Sequence, residues 1–386
     1  MLRNDHLQEI AEAPIPILSV YLNTMNQDST RHLQMPARLA WFRRRAAEVA
    51  STLPVQENKQ FQKEVERVEK FLDGRNPEER ALAIFSGAST WTTLPLHASV
   101  ENTLEWGKPA VGQLFRFLTE HPPYGVIAVD HQVARMFVYR LGELTPLGEK
   151  AFDIDKSQWK KKDLGHFASE RTRKTRGSNR DLYDHRLEAQ YERLCHETAE
   201  EAVNLWKKFE FAGLFLVGSE RLTSLIRTKL ANHLNPLVFS IPEDLAKFSE
   251  RSILRRIEPR IAEFEAERQL GLVKQLQAEE GKFVTNPDEV LARLQEGAIH
   301  TLVVASDLGL SLHQCGQCGR GSRSGDPACA SCGGELQETS LLEMLPGLAA
   351  NHRTKVEFVS GAAAQLLAKM GGMGGWSRQA KARAAR

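Results

Sequence analysis

The spacing Cys315-x2-Cys318-x10-Cys329-x2-Cys332 constrains this chain more than any other feature. Two C-x2-C pairs put two thiolate pairs on two tight turns made of glycine and small residues, so four sulfurs can close a tetrahedron around one ion. With a cysteine at every position no coordination site stays open. The ion expected is therefore a structural zinc that folds a ribbon over residues 313–335, not one that activates water. A redox dithiol would need one pair and leave the second redundant. His313 lies beside the first pair, but a set of four cysteines does not require it. The fifth cysteine, Cys195, is followed by His196, which suggests a nucleophile and its base. Neighbours on a helix point about 100° apart, and Cys195 falls on the apolar side, so a buried structural cysteine is expected.

Four cysteines gathered in one stretch fit a reducing compartment better than a disulfide framework. No apolar run approaches the roughly 18 residues of a membrane span, and the opening MLRNDHLQEI lacks the apolar core of a signal peptide. A cytoplasmic protein with no membrane partner is expected. The 51 Lys+Arg and 49 Asp+Glu leave a formal charge of +2, so net charge neither demands nor excludes a polyanionic partner, and the distribution must decide. No Gly-x4-Gly-Lys-Ser/Thr loop is present, so the chain is not expected to bind GTP itself.

At roughly 150 residues per domain, 386 residues suggest two or three domains, and the pattern favours three of α/β type, each a mixed sheet with packed helices. The first, 1–119, has apolar strands at Ile17–Leu22 and Ala81–Phe85 and a helix whose Phe61, Val65, Val68 and Leu72 recur at helical spacing. Asp73-Gly74 stops that helix, and its charges are expected in solvent. The second, 120–250, opens with Gly125–Asp130 and Ala134–Leu141, a plausible hairpin. A long helix follows, striped by Leu187, Tyr191, Leu194, Thr198, Ala202 and Leu205, and then a buried strand, Phe211–Val217. The third, 251–386, begins with a charged helix carrying Ile253, Ile257, Ile261 and Phe264, a connector between domains. Asn286-Pro287-Asp288-Glu289 marks a capped helix through Leu294 with Gly297 as its stop, and strand Thr301–Ala305 comes next. A helix near Ser340–Asn351, strand Lys355–Val359, a last helix, the cluster Gly371–Gly375 and a basic tail with Lys381, Arg383 and Arg386 close the chain.

Within the second domain, Lys156–Arg180 holds nine Lys/Arg and two acidic residues with few apolar anchors, and an exposed basic loop is expected there. Lys160, Lys161, Lys162, Arg171, Arg173, Lys174, Arg176 and Arg180 suit contacts to a phosphate backbone, which would be salt-dependent and blind to sequence.

The order of elements and several segments resemble the archaeal and eukaryotic class-1 peptide chain release factors, their relative Pelota, and the bacterial, Balon-like branch of that superfamily. Tyr124–Asp130 looks like the first strand of that family's middle domain, and Glu197–Val203 like the helix after its catalytic loop. Asp288–Gly297 with Ala298–Ala305 is similar to its capped helix and strand, and the ribbon falls where archaeal members carry theirs. The ending, Lys355-Val356-Glu357-Phe358-Val359-Ser360 followed by Gly371-Gly372-Met373-Gly374-Gly375, is the most specific part.

The resemblance implies a third domain with the fold of kink-turn-binding ribosomal proteins and a basic loop that reaches the peptidyl-transferase centre. It also implies tight packing for the glycine cluster. Members that hydrolyse peptidyl-tRNA carry Gly-Gly-Gln at the loop tip. Here Arg176-Gly177-Ser178 falls on that triplet with Asn179 next, and the Asn-Ile-Lys-Ser segment that inspects stop codons is absent. The leading expectation is a ribosome-binding factor that occupies the A site in hibernation or rescue, with tRNA and a translational GTPase as further candidate partners. The enzyme alternative is a peptidyl-tRNA hydrolase whose candidate tip is Gly177, Ser178 and Asn179. A third alternative is an RNA- or protein-binding adaptor.

Overall fold

The structure, a computed structural model, describes residues 4–24, 35–73, 79–96, 100–151, 175–230, 234, 237–278 and 283–378. The chain divides into two compact units, Met1–His121 together with Glu263–Arg386, and Pro122–Ala262.

In the N-terminal region, helix α1 (Asn4–Ala11) leads into β1 (Ile17–Asn23), followed by α2 (Met35–Thr52), α3 (Val55–Asp73), β2 (Ala81–Ser86), β3 (Trp91–Leu96), β4 (Thr103–Gly107) and α4 (Gly112–Glu120). The sheet runs β3-β2-β1-β4, with every pair antiparallel. All seven residues of β1 and all six of β2 are buried, which explains their near-continuous apolar runs. Leu18, Val20 and Leu22 meet Phe42 of α2 and Phe61, Val65, Val68 and Leu72 of α3. Each such side chain contributes about 2 kcal/mol on burial. One charge of α3 departs from the expected solvated face: Glu64 is 3% exposed. It accepts the Ser86 hydroxyl at 2.6 Å and faces Arg67 at 3.6 Å, so its carboxylate is paired.

The second unit contains β5 (Tyr124–Val129), β6 (Val133–Arg140), β7 (Glu143–Ala151), α5 (Thr175–Phe209), β8 (Gly213–Gly218), α6 (Glu220–Lys229), β9 (Val238–Ile241) and the start of α7 (Glu250–Ala278). The mixed sheet runs β7-β6-β5-β8-β9, antiparallel on one side of β5 and parallel on the other. The expected hairpin forms because Asp130 Oδ1 accepts the N–H groups of Gln132 and Val133 at 2.6 and 2.8 Å and closes the turn. On α5, Cys195, Ala199 and Ala202 are buried against β5 and β8, with Tyr191, Leu194 and Leu205 half-buried beside them. Thr198 is buried and bonds back to the Leu194 carbonyl. The Leu187 side chain lies outside the described residues.

The C-terminal region adds β10 (Phe283–Val284), α8 (Pro287–Gln295), β11 (Ile299–Ala305), β12 (Ser311–Cys315), β13 (Gly321–Ser322), β14 (Leu336–Ser340), α9 (Leu341–His352), β15 (Lys355–Val359), α10 (Gly361–Ala368) and β16 (Met373–Ser377). Its main sheet is β10-β16-β11-β15, with β11 and β15 parallel, and β13-β12-β14 form a separate three-stranded ribbon. The cap of α8 forms as read: Asn286 Oδ1 accepts the N–H groups of Asp288 and Glu289. The glycine cluster packs tightly, as a turn and then a strand. Gly371 and Gly372 take φ +103° and +79°, and a Cβ on Gly375 would lie 2.9 Å from Ile299 Cδ1. The tail residues Lys381, Arg383 and Arg386 lie outside the described residues.

Candidate metal centre and basic segment

The ribbon brings Cys315, Cys318, Cys329 and Cys332 together, with all four sulfurs within 4.8 Å of one another. Cys315 and Cys332 approach to 3.4 Å and Cys318 and Cys329 to 3.6 Å, so each close pair joins one turn to the other. A tetrahedral ion with metal–sulfur bonds of about 2.3 Å needs sulfurs about 3.8 Å apart. The set fits, and the four sulfurs can hold one metal ion. Among the described residues this is the one cluster of three or more His, Cys, Asp or Glu side chains arranged to do so.

The two turns are built alike. Gly319 N–H bonds the Cys315 carbonyl at 2.9 Å, and Gly333 N–H bonds the Cys329 carbonyl at 2.8 Å. Both glycines have φ +72°, a left-handed backbone that glycine adopts without strain. Each follows directly on the second cysteine of its pair, a signal present in the sequence at Cys318-Gly319 and Cys332-Gly333. Gly334 is needed for space, because a Cβ there would lie 2.8 Å from Cys315 Sγ.

Electrostatics favour deprotonation of the first thiols and penalise the last. The backbone N–H groups of Cys318 and Gln317 pull the Cys315 thiol down to about 6, and those of Ser331 and Cys332 lower Cys329. At Cys332 the Gly334 N–H works downward, but the sulfurs of Cys315 and Cys318 push it up to about 12. Four thiolates together need a cation to offset their repulsion. Cys315 and Cys329 are buried and Cys318 and Cys332 exposed, so an ion could enter from one side. His313 stands apart from the cluster, with Nδ1 buried and no hydrogen-bond partner among the described residues.

The ribbon is fixed to α8 and α9 by residues that sequence reasoning did not single out. Gln295 of α8 clamps the backbone of Gly321, and Met344 of α9 packs against the same glycine. Neither residue carries a motif.

Of the basic segment, Lys160, Lys161, Lys162, Arg171, Arg173 and Lys174 lie outside the described residues. Arg176, Gly177, Ser178, Asn179 and Arg180 fall within α5, which begins at Thr175. The helix therefore takes in the last six residues of the stretch expected as a loop, Thr175–Arg180. Cys195 and His196 form no catalytic pair: Cys195 is fully buried, and burial, then Glu192, push its thiol up to about 11. His196 points to Glu200 at 3.4 Å on the exposed side.

Residues 109–261 match the model of a protein family described as bacterial archaeo-eukaryotic release factor family 10. No curated protein sequence matches the chain. Among solved structures, ribosome-bound archaeal Pelota with ABCE1 is 12% identical over 97% of this chain and 94% of that one, at a TM-score of 0.42. Dom34 of S. cerevisiae is 8% identical over 81% and 77%, at 0.38, and the archaeal termination factor aRF1 is 14% identical over 97% and 96%, at 0.25. Likeness at these values carries no inference about activity. No helix among the described residues is long and apolar enough to cross a membrane.

Proposed function

We propose that the chain, through residues 109–261, belongs to the bacterial branch of the release-factor and Pelota superfamily, and that it is a ribosome-binding factor that occupies the A site in hibernation or rescue. The observation that carries this reading is that the matched segment encloses the whole basic stretch 156–180. Nine cations on a release-factor domain suit ribosomal RNA near the peptidyl-transferase centre. The triplet position holds Arg176-Gly177-Ser178, which supports occupancy over hydrolysis. A misplacement of about 1 Å in a water-positioning group can cost about a hundredfold in rate. The ion in the four-cysteine site is zinc in this reading, closed to substrate and structural in role. A tRNA in a neighbouring site and a delivering translational GTPase complete the proposed partners.

The test is sedimentation of the zinc-loaded protein with 70S ribosomes through a sucrose cushion, at low and moderate salt. Wild type is compared with a variant in which Arg171, Arg173, Lys174 and Arg176 are alanine. Binding lost in the variant is the expected result, with the logarithmic salt slope reduced by about 0.7–0.9 for each phosphate contact removed. No binding at either salt overturns the reading and leaves an adaptor in front. Peptide release in a single-turnover assay on ribosome-bound peptidyl-tRNA, abolished by Gly177→Ala and Asn179→Ala, would instead establish a hydrolase.

A further inference from the structure

Helix α9 begins where the ribbon ends. Ser340 is both the last residue of β14 and the N-cap of α9, and its Oγ accepts the Glu343 N–H at 3.2 Å. The β12–β14 register runs from Cys315 opposite Leu336 to Ser311 opposite Ser340. Leu341 N–H on the Leu310 carbonyl, at 2.9 Å, carries the contact one residue further. The pairing that places Cys315 thus also sets the start of α9.

Two neighbours on the first turn of α9 then face different partners. Met344 packs against Gly321, where a Cβ would lie 2.6 Å from Met344 Cε. Glu343 reaches α4 instead, and both its oxygens lie 3.1 Å from the Gly112 N–H. In a Ser-x-x-Glu capping box the glutamate turns back to its own N-cap. Here it caps another helix, whose own N-cap, Val111, has no side-chain capping bond. Helix α4 is tied in turn to the N-terminal sheet: Gln113 Nε2 donates to Thr103 Oγ1 at 2.9 Å and to the Glu101 carbonyl at 3.2 Å.

We propose that metal occupancy of the ribbon controls the capping of α4, and with it the joint between the N-terminal sheet and the C-terminal domain. A bound ion keeps β12 and β14 paired, the pairing holds the first turn of α9, and that turn holds Glu343 on Gly112. The element with two states is the ribbon, because small metal-bound modules fold with the ion and unfold without it. The inference rests on reading the four cysteines as a metal site.

Hydrogen exchange on the full chain tests it, with zinc content measured on the same samples. Removing zinc is expected to speed exchange in the first turn of α4 about five- to tenfold, the worth of one helix cap. Strands β1 and β2 keep their rates. In Glu343→Ala the same turn exchanges fast with or without zinc. In zinc-loaded Gln295→Ala, with the ribbon loosened and the ion retained, the turn also exchanges faster. If chelation unfolds β1 and β2 as well, this second variant decides. Unchanged α4 exchange in zinc-free wild type, or in zinc-loaded Gln295→Ala whose ribbon amides have accelerated, overturns the proposal. A chain that takes up no zinc overturns it together with the metal reading.

Discussion

The side-chain amide of Gln295 bonds both backbone groups of Gly321: Oε1 accepts the N–H at 2.7 Å, and Nε2 donates to the carbonyl at 3.1 Å. A side chain of α8 thereby takes the place of a neighbouring strand for β13. Gln295→Ala leaves two partly buried backbone groups without partners and is expected to cost about 1–3 kcal/mol. Ribbon folding and ion binding are linked, so the loss should appear as weaker zinc retention in a chelator competition. Gln295→Glu keeps the acceptor but not the donor and should fall between the two. Equal retention by all three proteins would show that the clamp does not support the site.

Glu343 gives the protein a pH dependence whose sign follows from its surroundings. Burial, then Glu105, raise its carboxyl from the usual 4.5 to about 7, while the N–H groups of Gly112 and Val111 pull back; Tyr21 faces the same group. The folded state therefore holds this proton more tightly than the unfolded chain. The stability it contributes is complete below about pH 4.5 and lost as pH rises through about 7, a change of about 3 kcal/mol at most. Urea midpoints measured between about pH 5 and pH 8 should fall in wild type and flatten in Glu343→Gln, which keeps an oxygen for Gly112. An equally steep fall in the variant would assign the dependence to other groups.

What was legible in the sequence is what local chemistry dictates. The cysteine spacing, the Asn286 cap, the stripe of α3 ending at Asp73 and the short turn between β5 and β6 all act over a few residues. Strand β7 was not legible, because it is an edge strand with mostly exposed side chains and Pro146 inside it. Strand β16 was hidden by its glycines, which disfavour strands in general but here admit Ile299. The burial of Glu64 depends on Ser86, 22 residues away, and the bond from Gly112 to Glu343 spans 231 residues. No periodicity reports contacts of that kind.

Thiol chemistry should divide the five cysteines four to one. With zinc bound as proposed, the four ribbon sulfurs would be held by the ion, whereas Cys195 is buried with its thiol raised to about 11. A thiol reagent should find little to modify. Chelation should release four reactive groups, with Cys195 following only in denaturant. Fast labelling of Cys195 in the folded chain, read by peptide mass, would contradict its burial.

Arg268 provides the most severe test of packing in the C-terminal region. It lies on α7, with Nη2 at 3.0 Å from Glu357 Oε2 and Nε at 3.1 Å from Glu265 Oε2. Lys355 adds a second cation to Glu357. The two glutamate side chains are only 10% and 15% exposed, and Arg268 offsets the cost of burying them, with Lys355 helping at Glu357. Glu357 stands within the Lys355–Ser360 segment, which gives that acidic residue a structural reason. Arg268→Ala leaves two carboxylates crowded together and should destabilise the fold by about 3–5 kcal/mol. Arg268→Ala combined with Glu265→Gln and Glu357→Gln should recover a large part of that loss, because neutral amides need no counter-charge. Thermal melts of the single and triple variants separate the cases. If the triple variant melts no higher than the single, the cost lies in the packing of the arginine stem rather than in the stranded charges.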